Sequence, residues 1–277
     1  MPIQAPGIGS NLDVNSIVSQ LMAIERQPLQ VLQSRTQAYQ TKLSAYGTLK
    51  GALSNFQTGL KDLSNGSKFT AAKGALAEPS IAAVAVDGAK AVPGNYTLEV
   101  ERLAQQHKVY SAAAADATTA IGSGSIAIQF GTYDAGGNTF TVNPNKAAQT
   151  ITIGAGQSSL GGIRDSINAA NIGVSATIIT DNAGARLVVT SKDSGAANSV
   201  RISVTDDDGT NTDTAGLSQL AYDPTATAGA GKNLTQSAVA QDARLAIDGI
   251  WLTKSSNNFG DVVDGVTLNL QKTNLGS

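Results

Sequence analysis

The stretch GIGSNLDVNSIVSQLMAIERQPLQVLQSRTQAYQTKLSAYGTLKGALSNF, Gly7–Phe56, decides how the rest of the chain is read. Apolar residues fall at Leu12, Ile17, Leu21 and Ile24, with Val14 and Val18 widening the stripe, and these are helical intervals. Ser10 or Asn11 is placed to cap a first helix, with Asp13 in its first turn facing the positive end of the helix dipole. Pro28 has no N–H to give and its ring crowds the preceding turn, so it is expected to interrupt this helix. It can equally open a second one, running from about Leu29 to Leu63. There Leu32, Tyr39, Tyr46, Leu53 and Leu60 recur every seven residues, and Leu49, Phe56 and Leu63 form a parallel row, with Leu43 beside them. The steps of four and three from Leu49 to Leu63 are those of a coiled-coil seam. Such a helix is about 50 Å long, more than one small domain covers, so its stripe is expected to meet a partner. Gly66, in SNGSKF, is expected to end it.

Beyond Ala71 the period of the pattern drops to two. SIAAVAVDGAKAVPGNYTLEVERLAQQHKV reads as strand, turn, strand: Ile81–Val86, a turn through Asp87-Gly88, then Tyr96–Leu103 with Tyr96, Leu98 and Val100 alternating. Polyalanine at 112–115 and the TTAIGSGS after it mark a composition shift and a boundary. A second β region runs from Ser125 to about Val204. Its strands are SIAIQF, TFTVN, QTITI, VSATIITD, RLVVTSK and VRISVTD, with one short helix, LGGIRDSINAAN, at Leu160–Asn171. DAGGN from Asp134, DNAG from Asp181 and DDDGT from Asp206 supply the turns. Residues 209–235, rich in Gly, Thr, Ala and Asn, read as a loop or mobile surface segment. Strand periodicity returns in DARLAIDGIWLTKSS, where Asp248-Gly249 suits a tight hairpin turn, and in GVTLNLQKT. The fold class is therefore α+β, a long helical coiled-coil segment followed by mainly antiparallel β structure. No later stretch reads as a helix able to cover the N-terminal stripe. Its partner is expected from another subunit, another protein or a segment this sequence lacks.

Composition narrows the function. A formal net charge of -2 with 14% charged residues gives no broad attraction for nucleic acid or an anionic membrane surface. The basic residues are scattered rather than interleaved with aromatics, so no nucleic-acid partner is expected. With no cysteine, disulfides, thiolate metal sites and a cysteine nucleophile are excluded. No run approaches the roughly 18 apolar residues of a membrane span. MPIQAPGIGSN has neither a basic nor an apolar leader region, so export would use a route that reads no cleaved signal.

The search for chemistry comes back empty. The one histidine, His107, reads as a surface or packing residue, and G-x-S-x-G does not occur. GIGS at Gly7 follows no strand and is no dinucleotide loop. DDDGTNTD, Asp206–Asp213, resembles a calcium loop, but that register needs an acid where Val204 stands and a later glutamate; it reads as a solvated acidic turn. Glu99 with Glu101, on one face of a strand, reads as a solvent-facing row, and Asp261 with Asp264 is a weaker pair. No catalytic, cofactor-binding or metal-binding residue is assigned.

Three stretches resemble one family. GIGSNLDVNSIVSQLMAIERQPL is similar to the N-terminal signature of the bacterial flagellar filament cap proteins, the distal hook-associated proteins. DARLAIDGIWLTKSSNNFGDVVDGVTLNL looks like the opening of that family's C-terminal region, and IRDSINAANIGVSATIITDNAGARLVVTSKDSGAANSV resembles a motif of flagellins and hook-associated proteins. The resemblance implies a helical leg (1–70), an inner β domain made from 71–107 and 238–277, and an outer β domain, 108–237, inserted into it. It implies a ring of copies at the filament tip, outside the cell, that retains exported flagellin and promotes its folding into the lattice. Partners implied are further copies, flagellin, neighbouring hook-associated proteins and an export chaperone. Leu12, Ile17, Leu21 and Ile24 are then expected to contact flagellin or neighbouring legs. The seam Leu32, Tyr39, Leu43, Tyr46, Leu49, Leu53, Phe56, Leu60 and Leu63 is expected to take C-terminal helices that the family has and this sequence stops short of. Two other classes compete: an adhesin binding host mucin or glycans through the β head, and an extracellular polysaccharide-acting enzyme.

Overall fold

The computed structural model describes residues 13–64 and 72–275. They fall into two units divided at Thr70 and Ala71, a helix and a β unit. The first unit is a single helix, α1 (Val14–Ser64), and Pro28 lies inside it. The expected interruption at Pro28 does not occur. A proline in a helix interior costs about 3 kcal/mol. Stopping and renucleating costs more, about 4 kcal/mol for a nucleation constant near 10⁻³. Asp13 is also not in the first turn: it caps, its carboxylate accepting from Ser16 N at 3.0 Å and its carbonyl from Ile17 N at 3.1 Å. Ser10, Asn11, Leu12 and Gly66 lie outside the described residues.

The β unit begins with β1 (Ala82–Val86), β2 (Leu98–Arg102) and β3 (Gln106–Tyr110). Next come β4 (Gly124–Asp134), β5 (Thr139–Val142), β6 (Gln149–Ile153), α2 (Leu160–Ala170), β7 (Val174–Asp181), β8 (Gly184–Ser194) and β9 (Ser199–Asp206). β10 (Tyr222–Ala228), β11 (Ala230–Lys232), β12 (Thr235–Ala238), β13 (Ala243–Ile247), β14 (Ile250–Lys254), β15 (Asn258–Val263) and β16 (Val266–Leu270) complete it. Every pairing is antiparallel except the short one between β10 and β11.

Two cores result. The larger draws on residues between Val109 and Leu234. A sheet ordered β11-β10-β9-β4-β5, with β6 also on β4, and a sheet ordered β12-β3-β8-β7 enclose it. α2 closes it, burying Leu160, Ile163 and Ile167 from one face. Ser159 starts this helix by accepting from Gly162 N, and Asn171 ends it at φ 48°, the left-handed conformation asparagine tolerates. The smaller core takes residues from Ala82 to Ala104 and then from Ala243 to Leu270. Its sheets run β1-β16-β15 and β14-β13-β2. Asp248 and Gly249, at φ 49° and 78°, make the two-residue turn between β13 and β14.

Three expectations need correction. Ile81–Val86 and Tyr96–Leu103 do not face each other across a turn: β1 pairs β16, and β2 pairs β13. Alternation fixes that a strand exists, not its neighbour. Residues 209–235 are a surface loop only over 209–216; from Leu217 the chain turns inward. Leu217, Leu220 and Tyr222 are buried, and Asn233 donates to the Ser218 carbonyl at 2.8 Å. Three large anchors hold a segment whose average composition is weakly apolar. The acidic turn is not wholly solvated either, because Asp206 is buried and accepts from Ser218 N at 2.7 Å.

Candidate functional site

The surface that stands out is on α1. Ile17, Leu21 and Ile24 are exposed, and so is every member of the seam from Leu32 to Leu63; Leu43 and Tyr46 are 74% and 70% accessible. Burying one such side chain is worth about 1.5–3 kcal/mol, so an exposed row this long is a strong drive to associate. Because the helix runs unbroken through Pro28, Ile17, Leu21, Ile24 and Leu32 share one stripe with Tyr39, Tyr46, Leu53 and Leu60, at spacings of three, four, seven or eight residues. The structure thus unites two groups that the sequence placed on separate helices. Met22, Leu29 and Val31 are exposed too and were not singled out. Carrying the helical period across Pro28 reaches Val31, seven residues beyond Ile24. Elsewhere α1 shows a polar face, where Thr36, Thr41, Thr48 and Thr58 return their hydroxyls to the carbonyl four residues back. Gly47, Gly51 and Gly59 have open space where a Cβ would stand.

A second apolar surface lies on the β unit. Val92, Tyr96, Ile250, Leu252, Val262 and Val263 line a groove of about 440 Å³ along β14. β14 is an edge strand, and among the described residues no bond beyond those of the ladder reaches Trp251 or Thr253. The opposite edge of the same sheet is sealed: Asn274 accepts from Val100 N at 2.5 Å, donates to Leu98 O at 2.9 Å, and gives its own N–H to Val100 O.

The polar residues do structural work. His107, on β3, is 1% accessible. Its Nδ1 accepts from Val200 N on β9 at 3.1 Å, so its side chain ties one sheet of the larger core to the other. One ring nitrogen must carry a proton, and with Nδ1 accepting it is Nε2, which lies 2.9 Å from the side-chain nitrogen of Gln236; rotating that amide by 180° would bring its oxygen round to accept from Nε2. Burial pushes the His107 pKa down from 6.5 to about 4. Glu101 pairs with Arg244 at 3.2 Å, and that guanidinium lies 4.8 Å from the Trp251 ring. Asp261 accepts from Lys254 at 2.6 Å, and this bond holds its carboxyl below the usual range. Among the described residues no cluster of His, Cys, Asp and Glu has the geometry for a metal ion. No described helix is long and apolar enough to cross a membrane.

This fold, a long helix followed by mainly antiparallel β sheets, aligns with solved flagellar cap proteins. The structure of domains D1-D2-D3 of the flagellar cap protein FliD from Escherichia coli aligns with a TM-score of 0.62 at 35% identity, covering 84% of this chain and 60% of that one. The D2-D3 structure from the same organism aligns at 0.59 and 33% identity, over 72% of this chain and 91% of that one. The family described as flagellar hook-associated protein 2 N-terminus matches residues 10–107, and the flagellin hook IN motif matches residues 135–193. Flagellar hook-associated protein 2 of Escherichia coli K12 is 36% identical over 261 residues, 94% of this chain and 51% of the relative. The B-type protein of Pseudomonas aeruginosa PAO1 is 34% identical over 225 residues, 78% of this chain and 43% of the relative. The chain belongs to the flagellar hook-associated protein 2 family, the FliD cap proteins. It spans about half the length of the relatives it matches.

Proposed function

We propose that this chain acts in the cap at the distal end of the bacterial flagellar filament, outside the cell. Copies associate into a ring that retains exported flagellin and promotes its folding and insertion into the growing filament. The role is one of assembly rather than catalysis, an inference from the family. The observation that carries the reading is the exposed stripe of α1, a surface that needs an apolar partner. Leu12, Ile17, Leu21 and Ile24 meet flagellin or a neighbouring copy, and the seam from Leu32 to Leu63 takes a further helix. With α1 continuous through Pro28, the leg moves as one rod. Its organisation follows the family: a leg at 1–70, an inner β domain from 71–107 and 238–277, and an outer one at 108–237. The gap between the two parts of the smaller core supports this division. Neighbouring hook-associated proteins and an export chaperone complete the partners.

Replacing Leu53 and Leu60 together by aspartate tests the seam. In cells lacking their own cap protein, the variant should fail to restore filaments and should release monomeric flagellin into the medium. The β-unit circular dichroism of the purified variant should match that of the unsubstituted chain. Restored filaments would remove the seam from the mechanism.

A further inference from the structure

The chain passes between the two β cores twice, through Leu103–Gln106 and through Ala238–Asp242. Two such passages ordinarily permit a hinge, because a few residues can absorb the change in backbone angles. Here the passages are bonded to each other. Gln105 N donates to Gln241 O at 2.9 Å, Gln241 N donates back to Gln105 O at 3.3 Å, and the Gln241 side chain donates to Leu103 O at 2.9 Å. The smaller core then grips them. Asn257, between β14 and β15, accepts from Ala104 N at 2.7 Å and donates to Ala104 O at 3.0 Å, occupying both backbone groups of that residue.

The larger core grips from the other side. Where β8 ends, Ser194 Oγ donates to Ser255 O at 2.7 Å, Gly195 N donates to Gln105 O at 3.2 Å, and Ala196 N donates to Asp242 Oδ1 at 2.8 Å. Gly195 is at φ 103°, in the region that favours glycine. A Cβ there would stand 2.7 Å from Ser255 Cβ and 3.0 Å from Asp242 Oδ1. Arg102 Nε, donating to Asp242 O at 3.2 Å, steadies the acceptor side.

We infer that these contacts form a clasp, centred on Gly195 and Asp242, that fastens the two β cores into one rigid body. The functional meaning rests on the cap reading: a ring whose β heads hold emerging subunits needs the outer core at a fixed place relative to the inner one. Among the described residues the two apolar clusters are separate, and the clasp joins them through hydrogen bonds.

The chain has no cysteine, so cysteines introduced at Thr141 on β5 and Thr267 on β16 carry spin labels at two known sites only. Electron–electron double resonance on the free chain should give one narrow distance distribution. Asp242→Ala combined with Ser194→Ala should broaden or split it. A broad or two-peaked distribution in the otherwise unsubstituted chain would overturn the proposal, and this arm stands even where the variant fails to fold. A folded variant whose distribution stays narrow would also overturn it, since the clasp would then not be what holds the cores. The measurement needs no filament, so its failure leaves the cap reading intact, and a failure of capping leaves the clasp intact.

Discussion

Lowering the pH should weaken the larger β core through one residue. In the folded chain His107 is buried, its Nδ1 already receives the Val200 N–H, and burial sets its pKa near 4. In the unfolded chain it reverts to 6.5. As pH falls the unfolded state takes the proton first, so His107's contribution is intact above pH 6.5 and is lost between there and about 4. Across that window, at about 1.4 kcal/mol per pH unit, the loss is about 3.5 kcal/mol, a large part of the 5–15 kcal/mol typical of a folded domain. Protonation would also set a second N–H against Val200 N–H, uncoupling the sheet that carries β3 from the one that carries β9. The carboxylates with lowered pKa, among them Asp181 and Asp261, lose their stabilising effect at still lower pH, because carboxylates titrate there. Because the chain has a single histidine, its imidazole proton resonance can be followed by NMR without assignment of the rest. The resonance should hold its neutral position until well below pH 6, while urea midpoints fall steadily over the same interval. His107→Gln, measured in parallel, should be less stable at neutral pH but show a flatter profile. An imidazole that titrates near 6.5 in the folded chain, with pH-independent urea midpoints, would refute this account of its burial.

Other substitutions probe other parts of the account. Leu217→Ala should cost about 2–5 kcal/mol in urea unfolding, because a residue of the supposed loop is a core anchor; a cost within experimental error would return that segment to the surface. Asn168→Ala strips both partners from Ala176 at the outer edge of β7, 2.8 Å each, and should cost about 1–3 kcal/mol by the same assay. Gly51→Ala should stabilise α1 in the free chain by up to about 1 kcal/mol, seen as a higher helix melting temperature, since a Cβ there meets only open space. If the same change impairs filament growth, the glycine face is packed against a partner in the assembly.

The sequence carried much of this, unevenly. Strands from β4 to β9 and helix α2 were legible because alternation and a 3.6-residue period are written in Val, Ile and Leu and bounded by Asp- and Gly-rich turns. The hairpin at Asp248-Gly249 was legible because few residue pairs adopt two positive φ angles in succession. Strand partners were not, since the pairing of β1 with β16 is set by the smaller core and spans most of the chain. β15 escaped because Asn258, Gly260 and Asp261 interrupt its alternation, and its register is broken after Phe259. The segment 209–235 escaped because averaging its composition hid Leu217, Leu220 and Tyr222. On α1 the helical period is legible in the apolar rows, but a local rule about proline hides that the helix is continuous, because the rule leaves out the cost of restarting a helix. The clasp had no signal at all: Asn257, Asp242 and Gly195 are ordinary residues until the fold brings them together.

The central claim is that this protein acts at one end of a filament. The direct measurement is electron microscopy of flagellin filaments mixed with gold-labelled polypeptide carrying this chain. The account predicts label at the distal end alone, in closed rings whose images also give the number of copies. Label spread along the filament sides, or absent from filaments altogether, would contradict it.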